Sequence, residues 1–320
     1  MQATLGAVGR ATSSMTGLRR GSIRLFRFAG IDVFLHWSWF VIAAIEIQTR
    51  ARSYSSPIWN VLEYVAIFLI VMLHEFGHAL ACRQVGGNAN QIVLWPLGGV
   101  AYVDPPQRPG ATLWSIAAGP LVNVALLPIL AVLVMLSASA GWAVTMPDLH
   151  AFLRAVWWIN LGLLIFNMLP IYPLDGGQIL RSLLWFPMGR AHSLLVATIL
   201  GFVGMAGFII FAFWTHSVWF GVLGVFILMN CWSGLQHARV LLRMAKLPRR
   251  YGFACPSCRT APPSGDFWVC GQCNKPFDVF ETQAVCPHCA AHYSTTRCLD
   301  CGRLSPMTDW SAPVLVHPIG

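Results

Sequence analysis

Six long apolar runs constrain this chain more than any other feature of its sequence. Crossing the hydrocarbon core of a bilayer takes a helix of about 20 residues. The chain is 56% hydrophobic and only 10% charged, whereas soluble domains carry roughly a quarter charged residues. We therefore predict an α-helical polytopic membrane protein with about six transmembrane helices. Their approximate ranges are 31–48, 58–82, 112–137, 151–170, 192–214 and 217–235.

The basic residues predict which ends of these runs face the cytosol. The net charge of +9 could indicate a nucleic-acid surface, but most of the positive residues flank apolar runs. Such residues stay on the cytosolic side, so we expect both termini there and the loop 138–150, which lacks Lys and Arg, outside. Only Arg50 and Arg52 oppose this orientation. The flanking residues are Arg10, Arg19, Arg20, Arg24, Arg27, Arg239, Arg243, Lys246, Arg249 and Arg250.

The second run contains the segment HEFGH, in which ionisable residues lie inside an apolar helix. Such residues are costly in a bilayer and usually mark function. His74 and His78 are four positions apart, so their imidazoles share one helix face and can hold one zinc ion. Glu75 lies beside them and could take a proton from a zinc-bound water. The extension HExxHxxGxxH is absent, because Ala81 and Gln84 occupy its last two places.

A third zinc ligand must therefore come from elsewhere, and Asp175 is the best candidate. It lies in PLDGG, where Pro170 and Pro173 interrupt the fourth run and two glycines permit a close turn. The second and fourth runs cross in the same direction, so His78 and Asp175 both lie toward the cytosolic ends of their runs. We expect the metal within the hydrocarbon layer, within reach of cytosolic water.

These motifs together resemble the site-2 protease family of intramembrane zinc metalloproteases. The resemblance covers roughly 24–240 and includes GIDVFLHWSWF, PLGGVAYVD and AAGPLVNVAL. It implies that His74, His78 and Asp175 bind zinc and that Glu75 is the catalytic base. It also implies that Asn123 and Asn167 are candidates for holding the substrate or an oxyanion. The alternative for Asn123 is a simple hydrogen bond to a neighbouring helix.

The segment QIVLWPLGGVAYV, between the second and third runs, is too short to span and is rich in strand-forming residues. Gly98 and Gly99 interrupt it. We predict a short re-entrant, β-like hairpin beside the active site, whose free edge could hold an unwound substrate as an added strand. An ordinary interfacial loop is the alternative.

A polar, cysteine-rich segment follows the apolar part of the chain. Four CxxC pairs each present two thiolates on one turn, and two pairs complete a tetrahedral zinc site. We predict two sequential zinc ribbons, 255–273 and 286–301, because a cytosolic location disfavours disulfides. Ribbons of this kind bind proteins or nucleic acid, and the sequence leaves both open. The ligands are Cys255, Cys258, Cys270, Cys273, Cys286, Cys289, Cys298 and Cys301.

The changes in composition divide the chain into four predicted parts. A cytosolic arm (1–23) precedes a transmembrane metalloprotease domain (24–245). After the basic linker KLPRR come a double zinc ribbon (251–302) and a loose tail (303–320).

Two functions are compatible with these parts. The first is a zinc metalloendopeptidase, with one catalytic and two structural zinc ions, which cleaves a transmembrane protein near the cytosolic face of the bilayer. The second is a membrane-anchored zinc-ribbon scaffold or binding protein without proteolysis. A catalytic site keeps an open coordination position, whereas a structural site is closed. The oligomeric state is not legible in the sequence.

The orientation can be tested with reporter fusions. We expect a reporter that is active only outside the cytosol to be active within the loop 138–150 and inactive after residue 255, because basic residues flank the latter site. Activity of the fusion at residue 255 would overturn the topology and, with it, the preference for zinc over disulfides.

Overall fold

A computed structural model describes residues 21–49, 54–95, 98–216 and 218–311. Most of the predicted arm and the last residues of the predicted tail lie outside these ranges. The helices are α1 (Ser38–Thr49), α2 (Pro57–Gln84), α3 (Pro109–Ser139), α4 (Trp142–Thr145), α5 (Pro147–Asn167), α6 (Asp175–Thr215) and α7 (Val218–Ala245). The strands are β1 (Ser22–Phe28), β2 (Ile31–His36), β3 (Asn88–Trp95), β4 (Gly98–Asp104), β5 (Trp268–Val269), β6 (Pro276–Phe277), β7 (Thr295–Arg297) and β8 (Leu304–Pro306).

Four helices in the described ranges are long and apolar enough to cross a membrane. They are α2, α3, α5 and α6, with 28, 31, 21 and 41 residues. Since a span takes about 20 residues, they confirm a predominantly helical integral membrane protein. The count of six spans is not confirmed. The fifth and sixth predicted spans fall in α6 and α7, and α6 ends at Thr215, just before His216, whose φ is +50°.

The segment predicted as the first span is not one helix. Ile31–His36 forms strand β2, and α1, which follows it, has only 12 residues. Ile31, Val33 and Leu35 are buried while the residues between them are less so, which is the two-residue period of a strand. Because a short apolar run does not by itself distinguish a strand from a helix, composition led to the wrong element here.

A four-stranded sheet with the order β1-β2-β3-β4 packs against the C-terminal half of α2. Strands β2 and β3 are parallel, and the other neighbouring pairs are antiparallel. The hairpin formed by β3 and β4 covers the segment predicted to be β-like, although residues 96–97 between them lie outside the described residues. Its insertion into the membrane stays a prediction. Ile31, Ile92 and Leu94 pack with Phe76 and Ala79 in one core, so the sheet supports the helix that carries HEFGH.

Glycine at position 77 allows α2 and α3 to approach closely. A Cβ atom there would lie 2.6 Å from the carbonyl oxygen of Ala118 and 2.9 Å from the side chain of Val122. Small residues at such contacts let membrane helices pack backbone against backbone. The contact brings the HEFGH segment against the AAGPLVN segment of α3.

Two further glycines determine how α6 begins. A Cβ atom on Gly176 would lie 2.4 Å from the carbonyl oxygen of Met168, and one on Gly177 would lie 2.4 Å from the backbone of Ile171. The first turn of α6 therefore packs directly on the loop that follows α5. This contact holds Asp175, the first residue of α6, against the interior of the helical assembly.

The helix α6 changes direction at Gly189, whose φ of +75° and ψ of 171° are not helical. Just beyond this kink, Arg190 donates a hydrogen bond to the carbonyl oxygen of Asp300 in the cysteine-rich part of the chain. The Asp300 carboxylate accepts hydrogen bonds of 2.7 and 3.0 Å from Arg249. Asp300 thus joins the cysteine-rich part to the helical part, through Arg190 at its carbonyl group and Arg249 at its carboxylate.

Arg250 makes a second connection to the cysteine-rich part, through the buried Asp278 at 2.6 Å. The Asp278 carboxylate also accepts hydrogen bonds from the Gly265 and Phe280 N–H groups. Although burial opposes its ionisation, these donors lower the pKa of the Asp278 carboxyl. The arginines of the predicted linker therefore have structural partners besides any effect on topology.

The predicted loose tail is ordered up to Ser311. Residues Leu304–Pro306 form β8, and Met307–Ser311 form a 3₁₀ helix. Trp310 is fully buried, and its ring lies 4.9 Å from that of Phe280, edge to face. Since a large aromatic side chain contributes strongly to a small core, the prediction of a loose tail is wrong for this stretch.

Candidate metal centres

Three predicted ligands meet between α2 and the start of α6. The Nε2 atoms of His74 and His78 are 3.0 Å apart, and they lie 3.0 and 3.4 Å from Asp175 Oδ2. Ligands at typical zinc distances in a tetrahedral site lie about 3.3 Å from one another. The structure thus brings together three residues, two of them 101 and 97 positions from the third, at the separation that a zinc ion requires.

Hydrogen bonds on the far side of each imidazole determine which nitrogen faces the site. His74 Nδ1 donates to Asn123 Oδ1 at 2.6 Å, and His78 Nδ1 donates to the Ser115 carbonyl oxygen at 2.9 Å. In a neutral imidazole the other nitrogen then carries a lone pair. Two lone pairs and a carboxylate oxygen therefore face one another in a buried site, an arrangement that requires a cation.

The absence of a side chain at Gly119 leaves room for that cation. A Cβ atom on this residue of α3 would lie 2.2 Å from His78 Nε2 and 2.8 Å from His74 Nε2. Any other residue would therefore contact the metal-binding atoms themselves. This space and the donor set fit zinc, with three protein ligands as in catalytic sites.

Glu75 is buried beside His74 on α2, with 6% of its surface exposed. A carboxylate in an apolar helix is costly unless it has a specific role or partner. It follows a zinc ligand directly in the chain, where a general base of an HExxH site is expected.

The asparagine predicted to contact the substrate, Asn123, is instead engaged in a hydrogen-bond chain. Its side chain is fully buried, accepts from His74 and donates 2.8 Å to Asn160 Oδ1. Asn160 Nδ2 donates back to the Asn123 carbonyl oxygen at 3.0 Å. Partners of this kind orient a metal-binding histidine. Within the described residues, no hydrogen bond joins the half-buried Asn167 to the three ligands.

Sequence reasoning missed Asn160 and Gly119. Asn160 is an uncharged polar residue in the apolar helix α5, a location that usually indicates a specific partner, so this signal was available. Gly119 lies in the AAGPLVN segment, but its role depends on how α3 approaches α2, and no local pattern indicates that approach.

The eight cysteines of the tail form two clusters, but their pairing differs from the predicted one. Cys255 and Cys258 meet Cys298 and Cys301, and the remaining four meet each other: Cys270, Cys273, Cys286 and Cys289. The first pair thus joins the fourth and the second joins the third. The prediction of two sequential ribbons is wrong, because the four turns are locally equivalent and only the path of the chain between them decides which turns meet.

That equivalence is visible in the backbone. In each turn the N–H group of the first cysteine donates to the carbonyl oxygen of the residue five positions later. The N–H group of the residue after the second cysteine donates to the carbonyl oxygen of the first cysteine. The residue that donates back has a positive φ in all four turns: Arg259, Asn274, Ala290 and Gly302, with φ between +58° and +76°. Each CxxC therefore folds in the same way, whatever its partner.

Distances within both clusters fit tetrahedral zinc. Two Sγ–Sγ pairs in the cluster containing Cys255 are 3.7 Å apart, and two pairs in the cluster containing Cys270 are 3.5 and 3.7 Å apart. Four sulfurs about 2.3 Å from a tetrahedral zinc ion lie about 3.8 Å apart. With four protein ligands each, these sites have the closed donor set of structural zinc.

Comparisons with known proteins agree with the membrane site. The family model described as Peptidase family M50 matches residues 63–211, which include all three ligands. The zinc metalloprotease MJ0392 of Methanocaldococcus jannaschii is 33% identical over 180 residues, 56% of this chain and 50% of that protein. The putative zinc metalloprotease Rip3 of Mycobacterium tuberculosis is 30% identical over 235 residues, 65% of this chain and 57% of that protein.

The chain thus spans about half the length of the curated relatives that it matches. Among solved structures, the site-2 protease from Methanocaldococcus jannaschii has a TM-score of 0.49 and 25% sequence identity, over 67% of this chain and 95% of that one. The family match and the named relatives confirm the resemblance predicted from the motifs.

Gly119→Ala should abolish metal binding in the membrane site without altering a ligand. The added Cβ would occupy space beside both Nε2 atoms, so we expect the full-length protein to lose about one zinc equivalent. Gly162→Ala is the matched control, because a Cβ there on α5 meets nothing within 4 Å. Unchanged zinc content in the Gly119→Ala protein would contradict the site described here.

Paired cysteine substitutions should reveal the connectivity of the tail. We expect Cys258→Ser with Cys298→Ser to remove about one zinc equivalent, because both belong to one cluster. Cys258→Ser with Cys273→Ser should remove about two. Sequential ribbons would give the opposite result in a metal analysis of the full-length protein.

Proposed function

We propose that this chain is an intramembrane zinc metalloendopeptidase that cleaves a transmembrane protein near the cytosolic face of the bilayer. The observation that carries the proposal is the convergence of His74, His78 and Asp175 at zinc-ligand distances. The family match over residues 63–211 and the relatives named as zinc metalloproteases support it.

Each residue of the membrane site has a role in the proposed reaction. His74, His78 and Asp175 would hold the metal, whose chemistry when bound would be that of a Lewis acid toward the peptide carbonyl and a water molecule. Glu75 accepts the proton of the attacking water and passes it to the leaving amine. Asn123 is better explained as a positioning residue than as an oxyanion ligand, because its amide is occupied by His74 and Asn160.

The rival function is a membrane-anchored zinc-ribbon scaffold, in which the membrane metal is structural. Two features favour the enzyme. The membrane site offers three protein ligands within the described residues, whereas each cysteine cluster offers four. Glu75 directly follows the ligand His74 in the chain, where a hydrolytic site requires a proton acceptor and a structural site requires only its ligands.

The remaining assignments complete the proposal. The protein would bind one catalytic and two structural zinc ions, with both termini in the cytosol. We assign residues 24–245 to the protease domain in the bilayer and 251–302 to the double zinc ribbon, whose fold continues to Ser311 through β8 and the buried Trp310. The ribbon would bind a protein or a nucleic acid. The free edge of β4, which ends the sheet order, would hold part of the substrate in an extended form.

Glu75→Gln should separate the two functions. The substitution keeps the size of the side chain and all three ligands but removes the proton acceptor. We expect zinc content to be retained while cleavage of a transmembrane substrate falls about a hundred- to ten-thousand-fold. Asp175→Asn should differ by weakening zinc binding, because a neutral amide is a poorer ligand.

Glu63→Gln is the matched control, because Glu63 is a second buried glutamate on the same helix and accepts a hydrogen bond from Tyr54. We expect its proteolysis to stay within a few-fold of the unsubstituted protein, since Glu63 lies about 18 Å along α2 from Glu75 at the helical rise. Full activity of the Glu75→Gln protein would exclude the proposed mechanism.

A further inference from the structure

A polar cavity lies between α6, α7 and the loop that precedes Asp175. Its volume is about 350 Å³, at the lower end of the range for small-molecule sites. The residues lining it include Gln107, Tyr172, Arg181, Arg190, Ser233 and His237. None of the proposed catalytic residues lines it, and no Asp or Glu lines it among the described residues.

Neither arginine of this cavity forms an ion pair within the described residues, although Asp300 and the cluster that contains Cys298 lie near Arg190. Arg181 Nε and Arg190 Nε are shielded from solvent, and neither has a hydrogen-bond partner in the described ranges. Arg190 donates only to a backbone carbonyl, that of Asp300, whose carboxylate is bound by Arg249. Arg181 has no carboxylate or thiolate partner in the described ranges, and a cation shielded from solvent without an anionic partner is unfavourable, so the cavity can accept an added anion.

The positions of the two guanidinium groups favour one class of ligand. Both lie near the ring of Trp185, with their central carbons 6.0 and 5.7 Å from its centroid, so one aromatic side chain holds both. A planar guanidinium matches the paired oxygens of phosphate. Two such groups suit a dianion better than a single carboxylate, and Ser233 and Gln107 offer further polar atoms at the wall.

We propose that this cavity binds a phosphate group, carried either by a lipid headgroup or by a small soluble compound. The bound anion would neutralise Arg181 and Arg190 together. Tyr172 of the cavity wall is three residues before Asp175, and Arg190 contacts the turn that bears Cys298 and Cys301. The ligand would therefore lie between the membrane metal site and the zinc ribbon.

Thermal unfolding of the full-length protein tests the proposal, and the test does not depend on proteolysis. A ligand that binds only the folded state raises the unfolding temperature. One arm titrates inorganic phosphate against chloride at equal ionic strength, in a non-ionic detergent. The other compares phosphatidylcholine vesicles with and without phosphatidic acid. Stabilisation in the first arm identifies a soluble phosphate as sufficient, and stabilisation in the second arm alone identifies a lipid. If the protein is stabilised in neither arm, the proposal is overturned.

Arg181→Gln is the decisive variant, because Arg181 makes no hydrogen bond or ion pair within the described residues. We expect the concentration for half-maximal stabilisation to rise at least tenfold, while the ligand-free protein unfolds at an equal or higher temperature because an unpaired charge is gone. Arg239→Gln, which removes an exposed charge from α7, should shift that concentration less than twofold. A ligand-free Arg181→Gln protein of lower stability with unchanged phosphate response would show that Arg181 is structural and overturn the proposal.

Discussion

The membrane part of this protein is organised around one unfavourable arrangement, two imidazole lone pairs and a carboxylate facing one another in a buried site. With Nδ1 of His74 and His78 donating hydrogen bonds, the Nε2 atoms of the two neutral imidazoles carry lone pairs that face Asp175. Such a group of acceptors is stable only around a cation. The close contact of α2 and α3 at Gly77 and the folded start of α6 at Gly176 then serve one purpose. They hold three acceptors within reach of one ion.

The chemistry of this site could be predicted from the sequence because it depends on local spacing and on rare residue types. His74 and His78 share a helix face whatever surrounds them, and Asp175 is conspicuous because acidic residues are scarce in apolar segments. Their convergence followed from the direction in which the runs cross. The residues that surround the three ligands could not be predicted in this way. The contacts of Gly119 and of Asn123 with Asn160 depend on where neighbouring helices lie.

Two predictions failed for the same physical reason, a local pattern with more than one solution. The apolar run 31–48 had the composition of a span, but Ile31, Val33 and Leu35 bury one face of a strand against α2. Likewise, every CxxC turn has the same backbone conformation, so the turns carry no information about pairing. In both cases the outcome depends on tertiary contacts. For the apolar run these are the contacts of the sheet with α2. For the cysteines, the deciding feature is the path of the chain between the β5–β6 and β7–β8 hairpins, each of which encloses one CxxC turn.

The nested pairing of the cysteines has a mechanical consequence for the chain. Because Cys255 and Cys258 share a cluster with Cys298 and Cys301, a metal bound there would tie the start of the cysteine-rich part to its last CxxC turn. Asp300 lies inside the last turn of this cluster and binds both Arg249, just after α7, and Arg190, just after the kink in α6. Sequential ribbons would have placed this turn in a different metal cluster from Cys255 and Cys258, which follow the linker. The nested arrangement instead joins this cysteine cluster to the helix whose first residue is the candidate metal ligand Asp175, through the partly buried Asp300 and two arginines.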